Sequence, residues 1–129
     1  MVKGVGVDIL EIERFGKIYT KWGARLLNRI FNKEEIPKTA SQKRTIESLS
    51  GKFAAKEAVS KAYGTGIGSH MSFKDIIILK NEYGKPVVSL KNKDTRKIHL
   101  SISHTDTCAI AFVVLEVWNE WHDFWKDNK

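Results

Sequence analysis

The chain has 129 residues, 42% hydrophobic and 29% charged, which is the balance of one soluble globular domain large enough to bury a core without covalent staples. Its single cysteine, Cys108, excludes an internal disulfide framework and fits a reducing, intracellular compartment. No run approaches the roughly 20 apolar residues that span a bilayer, and MVKGVGVDIL lacks the basic-then-apolar order of an export signal, so a cytoplasmic protein with no membrane contact is expected. The net charge of +7 calls for an acidic counterpart: nucleic acid, an anionic cofactor or an acidic protein.

Val5, Val7 and Ile9 alternate with Gly4, Gly6 and Asp8, which predicts a first strand with one packed face and one nearly bare face, closed by the Asp8 carboxylate. Glycines in a strand also let another backbone approach closely. A helix over residues 12 to 22 follows. Ile12, Phe15, Ile18, Tyr19 and Trp22 have the spacing of a buried stripe, and Arg14, Lys17 and Lys21 lie opposite it as a basic face, either solvated or a docking surface. Near Gly23 this helix stops, and a short helical stretch buries Leu26, Leu27, Ile30 and Phe31. In NKEEIP, Asn32 and Glu35 have capping-box spacing.

Ser41 is placed to cap a long helix from about residue 43 to 63, and Gly64 to end it in the left-handed conformation. At about 100° per residue, Ala54, Ala55, Ala58, Val59 and Ala62 form one apolar stripe, continued by Ile46, Leu49 and Phe53. Glu57 and Lys61 border that stripe side by side. One reading is a helix-stabilising ion pair at i, i+4; the other is a site. Four β-branched runs come next, FKDIIILK, PVVSL, KIHLSISH and CAIAFVVLEV, separated by turn residues. Strand, helices and then strands in blocks is the α+β pattern, a mostly antiparallel sheet with the long helix packed on one face. Residues 1–117 read as one domain. Residues 118–129 read as a helical extension whose Trp118, Trp121 and Trp125 make a stripe for packing or subunit contact.

Two carboxylates stand out by context, Asp8 beside the strand glycines and Glu57 at the helix border. If strand and helix pack together they converge, and a pair of hard oxygen ligands with open positions is how Mg²⁺ is commonly held in phosphoryl chemistry. Lys61, one turn beyond Glu57, would project toward the same phosphate. GTGIG follows a helix rather than opening one, so it lacks the context of a phosphate-binding loop. In SISHTD, Ser103 and His104 alternate across a strand and cannot act as nucleophile and base. The scattered histidines and single cysteine give no zinc spacing.

GVGVDILEIERF, GKFAAKEAVSKAYGTGIG, the GKP at residues 84 to 86 and SISHT together closely resemble the bacterial holo-acyl-carrier-protein synthases, a family of 4′-phosphopantetheinyl transferases, from residue 4 to about 116. The resemblance implies the fold of that family and transfer of the 4′-phosphopantetheine arm of coenzyme A to a serine of apo-acyl carrier protein, releasing adenosine 3′,5′-bisphosphate, a step that serves fatty acid biosynthesis. It implies Mg²⁺, with Mn²⁺ as the alternative, on Asp8 and Glu57, and Lys61 stabilising the leaving phosphate. The serine proton would pass to Glu57, to a metal-bound water or to His104. The resemblance further implies a coenzyme A cleft lined by Gly64, Thr65 and Gly66, by Gly84, Lys85 and Pro86, and by Ser103, His104 and Thr105, with Lys52 near the 3′-phosphate. Relatives often carry arginine at the Lys52 position, and a lysine loses the bidentate fork. It implies, too, that the acidic carrier meets Arg14, Lys17, Lys21 and Arg25, and that the chain forms a homotrimer with active sites between subunits. The tryptophan-rich end departs from the family. The rival from another class is a small basic nucleic-acid-binding module built on Arg14, Lys17, Lys21, Arg25 and Arg29, which accounts for the charge but leaves Asp8 and Glu57 without a purpose.

Overall fold

The structure is a computed structural model that describes residues 1–68, 70–92 and 96–117; the expected tryptophan stripe and its domain boundary lie outside the described residues. Strand β1 runs Val2–Glu11, helix α1 Ile12–Trp22 and helix α2 Ala24–Ile30, followed by a short 3₁₀ turn at Lys33–Glu35. The long helix α3 spans Gln42–Tyr63. Strands β2 (Ile76–Lys80), β3 (Pro86–Leu90), β4 (Lys97–His104) and β5 (Cys108–Glu116) follow. Among the described residues all pairing is antiparallel, as expected, but it divides into two sheets: a three-stranded sheet of order β1-β5-β4 and a β2-β3 hairpin.

Each end of α3 is set by the residues the sequence offers. Ser41 Oγ accepts the Arg44 amide at 3.3 Å, and Gly64 turns the chain off the helix at φ 76°, a conformation that costs a residue without Cβ little. Between these caps, Ala54, Ala55, Ala58, Val59 and Ala62 are all buried. They pack on the sheet face carrying Leu100, Ala111, Val113 and Leu115. A second cluster joins Leu49 to Phe15, Ile30 and Phe31, so α1 and α2 are held to α3 by the helix's other apolar side.

Three details differ from the sequence expectation, each for a physical reason. The first strand does not close at Asp8 but runs three residues further, with Asp8 opposite Ala111. Its packed face is the glycine face: a Cβ on Gly4 or Gly6 would lie 2.0 Å from the Ala62 carbonyl oxygen or 1.9 Å from that of Ala58. Helix and strand approach so closely that only hydrogen fits between them. Val5, Val7 and Ile9 consequently face outward at 59%, 51% and 65% exposure, beside Ile110 and Phe112. On α1, Ile12 and Phe15 are buried, whereas Ile18 and Trp22 remain exposed. The helix extends beyond what it packs against, so its apolar stripe is only half covered.

Candidate active site

The close contact of β1 with α3 brings two distant stretches of chain together. Lys61 Nζ donates to Asp8 Oδ1 at 2.9 Å and to the Val7 carbonyl at 2.9 Å, across 53 and 54 positions of sequence. Among the described residues β1 lies at the edge of its sheet, where backbone carbonyls need partners from outside the ladder, and this ammonium supplies one to Val7. Glu57 precedes Lys61 by one helical turn and shares the cluster. Burial, and then the neighbouring Asp8 carboxylate, push the Glu57 carboxyl above its ordinary value of 4.5, with Lys61 partly opposing them. The spacing expectation of convergence is therefore met, and Lys61 serves as an interelement tie to the strand as well as a border residue of its helix.

Among the described residues no group of three or more His, Cys, Asp or Glu side chains is placed to hold a metal. A cation at this cluster would thus rest on Asp8 and Glu57, with further positions left for water and phosphate oxygens. Two hard oxygen donors, half-buried, with a side open to solvent, suit a small divalent cation that keeps several of its waters. The turn after α3 lies just beyond: Gly64 and Gly66 both take positive φ, and the Gly66 amide returns to Ser60 O at 3.3 Å. Thr65, between them, is exposed.

A second group of expected residues collects on the other flank of α3. Lys52, Gly84, Pro86 and His104 line one cleft of about 490 Å³, together with Arg44 and Lys80, which the sequence reading did not single out. Lys52 Nζ donates to the Glu35 carbonyl, and burial lowers its ammonium below the ordinary value, with Glu35 raising it and Lys80 lowering it further. His104 is exposed, its Nδ1 3.4 Å from Thr105 O. Thr105 Oγ1 accepts the amides of Thr107 and Cys108, shaping the β4–β5 turn. Ser103 is exposed on β4, and Lys85 closes the β2–β3 turn, its amide donating to Asn81 Oδ1. On a helix, residues nine apart project about 180° from each other. Lys52 and Lys61 therefore point to opposite flanks, and one chain does not bring the two groups into one pocket.

Between the flanks lies a pair that the sequence reading passed over. Lys56 and Glu35 are fully buried, 2.7 Å apart. Lys56 also donates to the carbonyls of Ile30 and Phe73, while Glu35 accepts the amides of Asn32 and Ile78. Each charge is thus compensated and hydrogen-bonded, the condition under which an ion pair survives in a core. Desolvation lowers the Lys56 ammonium, and its bond to Glu35 raises it again. The signal was available: Leu49, Phe53, Lys56 and Ser60 follow helical spacing, so the lysine falls on a buried stripe.

The basic face of α1 and α2 is exposed at Arg14, Lys17, Lys21 and Arg25. These residues border different surfaces. Arg14 rims an apolar cleft with Phe15, Ile18 and Leu26, and Arg25 lines a groove with Ile18, Trp22 and Arg29. Lys17 and Lys21 face a third groove with Lys43 and Asp106. Lys17 is paired loosely with Glu13 at 3.7 Å, and the Lys21 ammonium lies 5.2 Å from the centre of the Trp22 ring. Among the described residues, no helix is long and apolar enough to cross a membrane.

Comparison with known proteins gives a consistent result. A model of the 4′-phosphopantetheinyl transferase superfamily matches residues 4–113. The chain is 47% identical over 118 residues to the holo-[acyl-carrier-protein] synthase of Bacillus pumilus (strain SAFR-032), covering 90% of this chain and 97% of that one. With the enzyme of the same name from Geobacillus sp. (strain WCH70) the identity is 48% over 118 residues, covering 90% and 98%. A crystal structure of a holo-(acyl-carrier-protein) synthase from Bacillus anthracis str. Ames in complex with CoA (3′,5′-ADP) is similar at a TM-score of 0.83 and 41% identity, over 92% of this chain and 99% of that one. That of Helicobacter pylori holo-[acyl-carrier-protein] synthase in complex with coenzyme A is similar at 0.78 and 37%, over 87% and 99%.

Proposed function

From the premise that the chain belongs to the holo-acyl-carrier-protein synthases of the 4′-phosphopantetheinyl transferase superfamily, we propose that it transfers the 4′-phosphopantetheine arm of coenzyme A to a serine of apo-acyl carrier protein. The observation that carries this reading is the convergence of Asp8, Glu57 and Lys61 at the β1–α3 contact, with Lys61 Nζ 2.9 Å from Asp8 Oδ1. Asp8 and Glu57 are the residues that would hold Mg²⁺, or Mn²⁺ in its place. When bound, the ion would supply neutralising charge to the diphosphate of coenzyme A. The packed alanines of α3 fix the angle at which Glu57 is presented, and the open edge leaves its carboxylate accessible. Lys61 offsets the charge that develops on the departing phosphate and can return a proton to it. No residue of the chain needs to form a covalent bond: the serine oxygen attacks phosphorus directly, its proton passing to Glu57, to a water or to His104, as the bond to adenosine 3′,5′-bisphosphate breaks.

Lys52, Arg44 and Lys80 outnumber the one carboxylate, Glu47, in a cleft suited to the 3′-phosphate, with His104 as a further hydrogen-bonding group and Gly84 and Pro86 in its wall. Since this cleft and the Asp8 cluster lie on opposite flanks of α3, one coenzyme A molecule would reach both only if two chains contribute. The outward row of Val5, Val7, Ile9, Ile110 and Phe112 is the surface through which such chains would associate, in a homotrimer with active sites between subunits. Arg14 and Arg25, interleaved with exposed Ile18 and Trp22, and Lys17 and Lys21 beside them, form the face for an acidic carrier, whose approach opposite charge would speed.

The test is direct. The protein is incubated with coenzyme A, Mg²⁺ and an apo-carrier, and intact-mass spectrometry follows the carrier. Addition of the pantetheinyl arm is expected, with the gain abolished in Asp8→Ala and Glu57→Ala and by a chelator. A carrier left unmodified by the folded wild-type protein would reject the reading.

A further inference from the structure

The ammonium of Lys61 already gives Asp8 a positive partner, the electrostatic role that a divalent cation would take. It lies 2.9 Å from Asp8 Oδ1 and is steadied by a second bond of 2.9 Å to Val7 O. A cation bound to the same carboxylate would compete with the ammonium for its charge, and the two positive centres would repel each other. Both cannot keep Asp8 as their main partner. Lys61 is able to move away, because half of its side chain is exposed, whereas Asp8, at 19%, is held in the strand. Glu57 shares the helix with Lys61, so the rigid backbone that presents the second carboxylate also anchors the displaced side chain one turn further on.

We propose that Lys61 is a resident substitute for the divalent cation: it neutralises Asp8 while no metal is bound, and the arrival of metal releases it toward the diphosphate. This inference rests on the reading that Asp8 and Glu57 hold the ion. It adds an order of events which that reading does not contain, since the phosphate-binding ammonium is freed by the metal. Binding of metal and of coenzyme A is then coupled through Lys61, in addition to direct contact between ion and phosphate, and the coupling is reciprocal. In the absence of metal, the device keeps two neighbouring carboxylates from facing each other uncompensated.

The experiment uses the full chain without carrier, so no turnover enters. Mn²⁺ alone is titrated by calorimetry into wild type, Lys61→Gln and Lys61→Arg, and Mg²⁺ is titrated into ¹⁵N-lysine-labelled wild type with the Lys61 ammonium resonance followed by NMR. Lys61→Gln is expected to bind Mn²⁺ roughly tenfold more tightly than wild type, Lys61→Arg no more tightly, and the wild-type ammonium signal is expected to shift in step with Mg²⁺ occupancy. Adding coenzyme A should strengthen Mn²⁺ binding by a smaller factor in Lys61→Gln than in wild type. If Lys61→Gln binds Mn²⁺ no better than wild type, or if the ammonium signal stays unmoved while Mg²⁺ binds, the substitute role is overturned and the metal site stands. If neither wild type nor Lys61→Gln binds Mn²⁺, with or without coenzyme A, the metal site itself is rejected and this role with it.

Discussion

Gly6 and Ala58 meet backbone to backbone: a Cβ on the glycine would lie 1.9 Å from the alanine carbonyl oxygen. Asp8 follows two residues along the strand and Glu57 immediately precedes Ala58, so this contact sets the separation of the two carboxylates. Gly6→Ala must push helix from strand, and overpacking of this kind costs about 1–3 kcal/mol. The expected signature is a loss of stability in chemical denaturation accompanied by a fall of roughly 100-fold in transfer rate, because displacement of reacting groups by about 1 Å is enough for that. Val5→Ala, on the outward face of the same strand, should leave the Asp8–Lys61 bond intact.

The Lys56–Glu35 pair makes a different kind of prediction. Removing one partner, as in Lys56→Met or Glu35→Leu, strands a buried charge and should cost about 3–5 kcal/mol. Removing both in the double variant should recover much of that loss, since an apolar pair has no charge to desolvate. Equilibrium denaturation of the two single variants and the double variant closes the cycle. Additive losses would show that the two side chains are not coupled.

Stability should depend on pH through Glu57. Its carboxyl is raised above the ordinary value of 4.5, first by burial and then by Asp8. The protonated form is therefore favoured by the fold, and its stabilising contribution, complete below the ordinary value, is lost as pH rises through the folded value. At neutral pH without metal, Glu57→Gln, which carries no charge, should raise the thermal midpoint by about 1–2 °C, a small effect because the group is partly exposed. The advantage should vanish near pH 4, where the wild-type carboxyl is itself protonated. Differential scanning calorimetry in chelator at the two pH values measures it.

The outward apolar row predicts association. Phe112→Glu, or Val7→Glu opposite it in the register, should convert the proposed trimer to monomers in sedimentation velocity, with transfer activity lost in proportion. The core lies on the other face of the sheet, so circular dichroism should change little. A wild type that sediments as a monomer at micromolar concentration would dispose of this role for the face.

Much of the architecture could be read from local signals. The caps at Ser41 and Gly64, the alanine stripe of α3, and the turns from β2 to β3 and from β4 to β5 each rest on a few neighbouring residues whose physics does not depend on the rest of the chain. Which face of β1 is buried could not be read in that way, because hydrophobicity pointed to Val5, Val7 and Ile9 while the decisive quantity was the space left by Gly4 and Gly6 against a helix more than fifty residues later. Ile18 and Trp22 were misplaced for a related reason: periodicity defines a stripe but not how far a neighbouring element covers it. At the candidate site, Asp8, Glu57 and Lys61 were legible by type and border position. The cleft partners Arg44 and Lys80 were not, since one is at the start of a helix and the other at the end of a strand, with nothing in sequence to join them to Lys52.

The opposite projection of Lys52 and Lys61 along α3 has a consequence for inheritance as well as for chemistry. If two chains share each reaction centre, every copy of this helix works for two masters, lending one flank to its own centre and the other to a neighbour's. Two defective alleles, one lacking Asp8 and the other lacking Lys52 and His104, would then rescue each other when co-expressed, because mixed assemblies regain some centres built wholly from sound halves.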